Sequence, residues 1–432
     1  MRKALRRAAA ILLATLVACH LPCHAYSVLT HEAIIDVAWD SHIRPLLIKR
    51  FPGATQEDLR KAHAYAYGGA IVQDMGYYPH GTKFFSDLTH YFRGGDFILS
   101  LLRNAEDLND YAFAIGSVAH YAADNDGHRL ATNVAVPLLY PELHKKFGSV
   151  VTYEDNPLAH IKTEFGFDVL QVAKGHYAPY SYHEFVGFEV ALPLMETAFR
   201  ETYGIELKSV FPNEQLAANS YRHSVNSLIP TATRVAWDLK RDDIQNDLPG
   251  ITRKKFLYNL SRSSYEKEWG KEYQRPSGGE KCLAFFIRIL PKIGPLKILT
   301  FRTPTPEAEK LFENSFNKTL ERYRHLLSEL AAGRLQLPND NFDVGEVTAR
   351  GKYKLNDVTC AELLDRLLKQ KMADVDKELK AQLLDFYAAE GHDSSGKKLT
   401  KDERRIQLLI EGLKQSTAVS SSIGGSPGSD LR

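Results

Sequence analysis

The sequence predicts an all-α protein, and three observations lead there. Over residues 26–245 apolar side chains recur at helical spacings of three and four, and strand-like alternation is scarce. Thr305-Pro306-Glu307 spells out a helix start: a capping hydroxyl, Pro at the first helical position, then an acid in the first turn. Residues 108–124 carry Ala112, Gly116, Ala119 and Ala123, small side chains that let two helices approach closely.

Taken in order, residues 1–25 join a basic start (Arg2, Lys3, Arg6, Arg7) to the apolar run Ala8–Ala18 and then Cys23-His24-Ala25. That layout is a secretory signal cut before Tyr26, and its apolar run is too short to span a membrane. Leu16-Val17-Ala18-Cys19 also fits a lipoprotein cleavage box, so an anchor at Cys19 is the alternative to a secreted or periplasmic product. In the helical domain expected over 26–245, Thr30 before His31-Glu32 reads as a helix start, with further helices over 56–74 and 108–124. Residues 246–300 are basic and include Pro276-Ser277-Gly278-Gly279, a boundary signal. In the mainly helical region expected over 246–415, the helix opened by Thr305 carries the apolar stripe Phe312, Phe316, Leu320, Tyr323, Leu327 and Leu330. Thr359 with Glu362 reads as a capping box before Leu363, Leu364, Leu367 and Leu368. The Ser/Gly-rich stretch 416–432 is expected to be a disordered tail.

Composition excludes several classes. With 44% apolar and 25% charged residues over 432 positions, the bulk of the chain is neither disordered nor collagenous nor coiled coil. Lys+Arg total 55 against 53 acids, and four of the basic residues lie in the leader, so the remainder is close to neutral. Such a chain does not attract nucleic acid by net charge, and no stable nucleic-acid partner is expected. Cys19 and Cys23 fall in the leader; Cys282 and Cys360 alone cannot make a disulfide framework. A monomer is the default expectation.

The chemistry lies in the histidines. His120 with Asp124, and His160 with Glu164, stand at i, i+4, where two side chains project from one helix face and suit a shared metal ion. With 53 acids in 432 positions, 16 His give about two such pairs by chance, so the pairs alone carry little; His325 with Glu329 makes a third, best read as an exposed surface pair. The ordered run Tyr26, His31, Asp74, His90, His120, Asp124, His128, His160, Glu164 carries more.

In that order and spacing the chain resembles the zinc-dependent phospholipase C family, which shares a trinuclear site with the fungal-type single-strand nucleases. The resemblance covers residues 26 to about 200. It implies a multi-helix phospholipase C/nuclease-like domain holding up to three Zn2+: one on Asp74, His90, His120 and Asp124; one on His128, His160 and Glu164; and one on the amine and carbonyl of Tyr26 with His31 and the bridging Asp124. Asp74 matches a residue assigned as general base in the family. The implied reaction is hydrolysis of the headgroup phosphodiester of a phospholipid by hydroxide generated on zinc. Three dications against Asp74, Asp124 and Glu164 leave a positive site suited to that anion.

Some positions depart from the family. Tyr26 stands where Trp is usual, His128 follows His120 by eight residues rather than ten, and residues 140–156 read as an insertion containing a rival, His144. The nuclease branch's Asp-x-His-Gln-Pro-Leu-His run is absent, since residues 124–130 read Asp-Asn-Asp-Gly-His-Arg-Leu, and 26–245 holds no Cys. Phospholipase C-like activity is therefore expected ahead of a nuclease or other phosphoesterase, or of a non-catalytic envelope binding protein. Tyr77, Tyr78, Phe84, Phe85, Tyr91 and Phe92 could hold a choline cation or stack a base, but most are expected in the core. The basic segment after residue 245 makes peripheral contact with anionic lipid possible.

Overall fold

A computed structural model describes residues 27–177, 188–225, 229–256, 294–371, 375–388 and 401–416. The leader, its alternative anchor at Cys19, the Tyr26 ligand, the 276–279 boundary, Cys282 and the tail beyond residue 416 lie outside the described residues. The expected all-α class is borne out: the described residues form seventeen α-helices and one two-stranded ribbon.

The helices are α1 (Val28–Ala38), α2 (Arg44–Arg50), α3 (Gln56–Ala70), α4 (Lys83–Tyr91), α5 (Gly94–Asn104), α6 (Leu108–Gly127), α7 (Asn133–Leu139), α8 (Pro141–Phe147) and α9 (Pro157–Lys174). There follow α10 (Leu192–Tyr203), α11 (Leu207–Val210), α12 (Glu214–His223), α13 (Ile229–Asp247), α14 (Pro306–Ala331), α15 (Lys354–Lys369), α16 (Lys377–Ala388) and α17 (Lys401–Gln415). Between α14 and α15, β1 (Asp340–Asn341) pairs antiparallel with β2 (Glu346–Val347).

Local chemistry sets most of these starts. Thr55 and Asp58 form a reciprocal capping box on α3. Asp107 accepts the Asn109 and Asp110 N–H groups at the head of α6, and Asn156 accepts that of Ala159 at the head of α9. Thr305 caps α14 as its sequence predicts, and the stripe from Phe312 to Leu330 packs inward. Two predicted starts are corrected. Helix α1 begins at Val28, not after Thr30, and takes its cap from a distant chain segment: Asp168 on α9 accepts from Leu29 N–H (3.0 Å) and from Thr30 Oγ (2.6 Å). Thr359 is no cap but a buried interior residue of α15, whose N-cap is Tyr353. The helix expected over 56–74 ends at Ala70, where Ile71 leaves helical geometry (φ −132°, ψ 7°), and Asp74 lies on the following 3-10 turn Val72–Tyr77.

Helices α3 and α6 are in backbone contact. A Cβ on Gly69 would fall 1.8 Å from Phe113 O, and one on Gly116 would fall 2.0 Å from Ala66 O. Helix α14 lies on α6, with Tyr323 Oη donating to Ile115 O (3.1 Å) and Phe312 stacked on Phe167 of α9. One continuous apolar core thus joins residues on both sides of position 246. No helix among the described residues is long and apolar enough to cross a membrane.

Candidate metal centre

Four helices and two turns aim His and carboxylate groups at a common interior point. His31 comes from α1, Asp74 from the 3-10 turn, His90 from α4, His120 and Asp124 from α6, and His160 and Glu164 from α9; His128 opens a π-helical turn directly after α6. All are buried.

The imidazoles are held by their far nitrogens. His120 Nδ1 donates to Ala70 O (2.9 Å) and His90 Nδ1 to Ser86 O (2.7 Å), which leaves both Nε2 atoms facing inward. Those Nε2 atoms lie 3.3 Å apart. Asp124 divides its carboxylate: Oδ2 stands 3.1 Å from His120 Nε2 and 3.3 Å from His90 Nε2, whereas Oδ1 stands 3.5 Å from His31 Nε2. Asp74 Oδ1 is 3.3 Å from His90 Nε2. On the other side, Glu164 Oε1 lies 2.6 Å from His160 Nε2 and 3.8 Å from His128 Nε2.

Donor atoms of three trios fall within 4.8 Å of one another: His31, His120 and Asp124; Asp74, His90 and His120; and His128, His160 and Asp343. Spacing of this kind suits metal binding. Both oxygens of Asp124, and all four ring nitrogens of His128 and His160, are buried without a hydrogen bond among the described residues. Each buried polar group left unmatched costs about 1–3 kcal/mol, a penalty that a bound cation removes. Imidazole and carboxylate donors suit zinc.

The fields of these groups oppose one another. Burial alone would lower the pKa of His90, but the carboxylates of Asp124 and Asp74 beside its ring win and raise it to about 10. Burial, then the nearby His128, push His160 down to about 3. Glu164 is raised by burial and then by Asp124, Asp74 and Asp343. Without an ion, the two carboxylates favour the charged form of His90, and burial favours the neutral form of Glu164.

Of the residues predicted from sequence, His31, Asp74, His90, His120, Asp124, His128, His160 and Glu164 converge, and Tyr26 lies outside the described residues. His144 is exposed on α8 and belongs to none of the three trios. The aromatic set from Tyr77 to Phe92 is buried; Tyr77 stands apart from the main core, paired with Tyr153 and 6.0 Å from the His90 ring. Sequence reasoning missed Asp343, in the turn between β1 and β2. Its one local signal is Gly345, the positive-φ residue (66°) that closes that turn.

Neither the curated proteins nor the solved structures gave a match. A family model described as zinc dependent phospholipase C matches residues 30–213, a span that holds all eight converging predicted residues and stops short of Asp343. Over residues 30–213 the chain is therefore similar to the zinc-dependent phospholipase C family.

Proposed function

We propose that the chain is an exported zinc-dependent hydrolase of phospholipase C type, which cleaves the headgroup phosphodiester of a phospholipid. The observation that carries this reading is the convergence of the eight buried donors within the matched span. Asp124, with an oxygen toward each of two histidine groups, is the residue suited to bridge two ions. His128, His160 and Glu164 would hold a further ion, and His31 with the Tyr26 terminus another. Bound zinc supplies a water of lowered pKa and neutralises phosphate oxygens.

The chain's own groups prepare that chemistry. Ala70 O and Ser86 O hold the His120 and His90 rings by Nδ1, so that each Nε2 is turned toward the ion site. Asp74, whose Oδ1 lies 3.3 Å from His90 Nε2, is the candidate to take the proton of the attacking water. The paired rings of Tyr77 and Tyr153 offer an apolar wall next to His90 and His160.

The direct test uses vesicles of a phosphatidylcholine and the purified exported protein. Release of phosphorylated headgroup with diacylglycerol is expected, with loss after chelation and recovery on adding Zn2+. Hydrolysis that survives complete removal of metal, or that is confined to single-stranded nucleic acid, would overturn the reading.

A pH dependence follows from His90. In the metal-free protein its charged form is favoured by folding, because the folded pKa of about 10 exceeds the ordinary 6.5. Its contribution to stability is full below about pH 6.5 and is lost as pH rises through about 10. Zinc must displace that proton, so zinc affinity should run the other way and rise with pH. Melting curves of chelator-treated protein at pH 7 and pH 10, beside zinc titrations at both, check the two slopes.

A further inference from the structure

The second histidine group has a carboxylate neighbour that comes from beyond the family-matched span. Asp343 is fully buried in the turn between β1 and β2. That turn is fastened to the helices that carry the centre: Phe342 N–H donates to His90 O (3.1 Å), Thr348 Oγ to Tyr91 O (2.7 Å) and Tyr121 Oη to Asp340 Oδ2 (3.1 Å). Gly345 stays small because a Cβ there would press on Asn125 O and the Arg129 side chain.

The two oxygens of Asp343 do different things. Oδ2 is anchored by two donors, Tyr353 Oη (2.6 Å) and Tyr153 N–H (3.0 Å). Oδ1 turns to the histidines and lies 2.9 Å from His128 Nδ1. Asn133 Nδ2 reaches Oδ1 only at 3.2 Å, its shorter bond (2.8 Å) being to the Asp343 main-chain oxygen. That oxygen belongs to a group of donor atoms, one each from His128, His160 and Asp343, that all lie within 4.8 Å of one another. Glu164 Oε1 adds a further oxygen 2.6 Å from His160 Nε2. Donor atoms gathered this closely can stand as neighbours around one ion, with metal–donor distances of about 2.0–2.2 Å. A carboxylate with one oxygen pinned by protein donors and the other presented to imidazoles has the build of a monodentate ligand.

We propose that Asp343 is a metal-binding carboxylate of the His128–His160 site, so that the ribbon of the C-terminal region completes a centre otherwise built from residues 30–213. The inference rests on the zinc reading of the site. With Glu164 it would give that ion four protein donors, the closed arrangement of a tightly held zinc. Four carboxylates against three dications still leave the centre positive.

The test compares full-length holoprotein with Asp343→Asn, Asp343→Cys and Tyr353→Phe, all dialysed against one buffered free-zinc level. Expected for Asp343→Asn is loss of one zinc per chain, or binding of that ion weakened by about 10–100-fold, with helical circular dichroism unchanged. Tyr353→Phe, which removes an anchor but no ligand, should keep its full complement. Loaded with Co2+, Asp343→Cys should show a thiolate-to-cobalt charge-transfer band absent from the wild type, a signature that a purely structural residue cannot give. Full zinc content in Asp343→Asn, or no such band in metal-loaded Asp343→Cys, would overturn the inference and leave the functional reading intact. A wild type without zinc would overturn both.

Discussion

Asp124→Ala should strip the centre of its metal and lower phosphodiester hydrolysis by about three orders of magnitude, on the order of 4 kcal/mol of transition-state stabilisation. The size of the effect follows from the position of the residue. Its two oxygens face His31 on one side and His90 with His120 on the other, so one substitution removes a carboxylate that serves both sides. It also leaves His90 with Asp74 alone to balance its charge. The fold should survive, because Asp124 makes no hydrogen bond that holds α6 in place. Elemental analysis for zinc and a vesicle assay on the same preparation check both halves. A variant that keeps either its metal or its activity would remove Asp124 from the centre.

Gly116→Ala should be among the most damaging of the single-methyl additions. The new Cβ would stand 2.0 Å from Ala66 O and 2.9 Å from Ala70 N, both main-chain atoms that no side-chain rotation can move away. Helices α3 and α6 must separate, and overpacking against backbone exceeds the usual 1–3 kcal/mol cost, so about 3 kcal/mol or more is expected. The consequence reaches the chemistry: the Ala70 O that orients His120 belongs to α3, while His120 sits one turn beyond Gly116 on α6. Zinc should therefore bind more weakly even in molecules that remain folded. Gly53→Ala is the control. Its Cβ meets nothing within 4 Å, and stability should stay within about 0.5 kcal/mol of wild type. Urea midpoints for the two variants decide the matter.

Much of this was legible along the chain because it is written locally. Thr305-Pro306-Glu307 caps a helix with atoms only three residues apart, and α14 starts where that signal stands. The i, i+4 pairs on α6 and α9 needed only a helical backbone to bring His120 to Asp124 and His160 to Glu164. Reasoning from local pattern failed where a remote partner decided. Thr359 and Glu362 match a capping box, yet the chain is already helical from Lys354, and the hydroxyl is carried into the core. Thr30 resembles a cap, but the acceptor at that helix end is Asp168, brought there by the packing of α9 on α1. Asp343 is the extreme case. It is one acid among 53, in a turn without a metal-ligand motif, and only the tertiary attachment of its ribbon to α4 and α6 sets it beside His128.

The reach of that ribbon bears on when the molecule matures. Asn133 bonds Asp343 across a separation of 210 residues, and Tyr121 bonds Pro338 across 217. Contacts this distant close large loops and form late in folding. A nascent chain that has delivered only residues 30–213 lacks the cover that Phe342 and Asp343 give the histidine cluster. The centre reaches its final shape only when nearly the whole polypeptide has arrived, which makes its completion a record of finished synthesis.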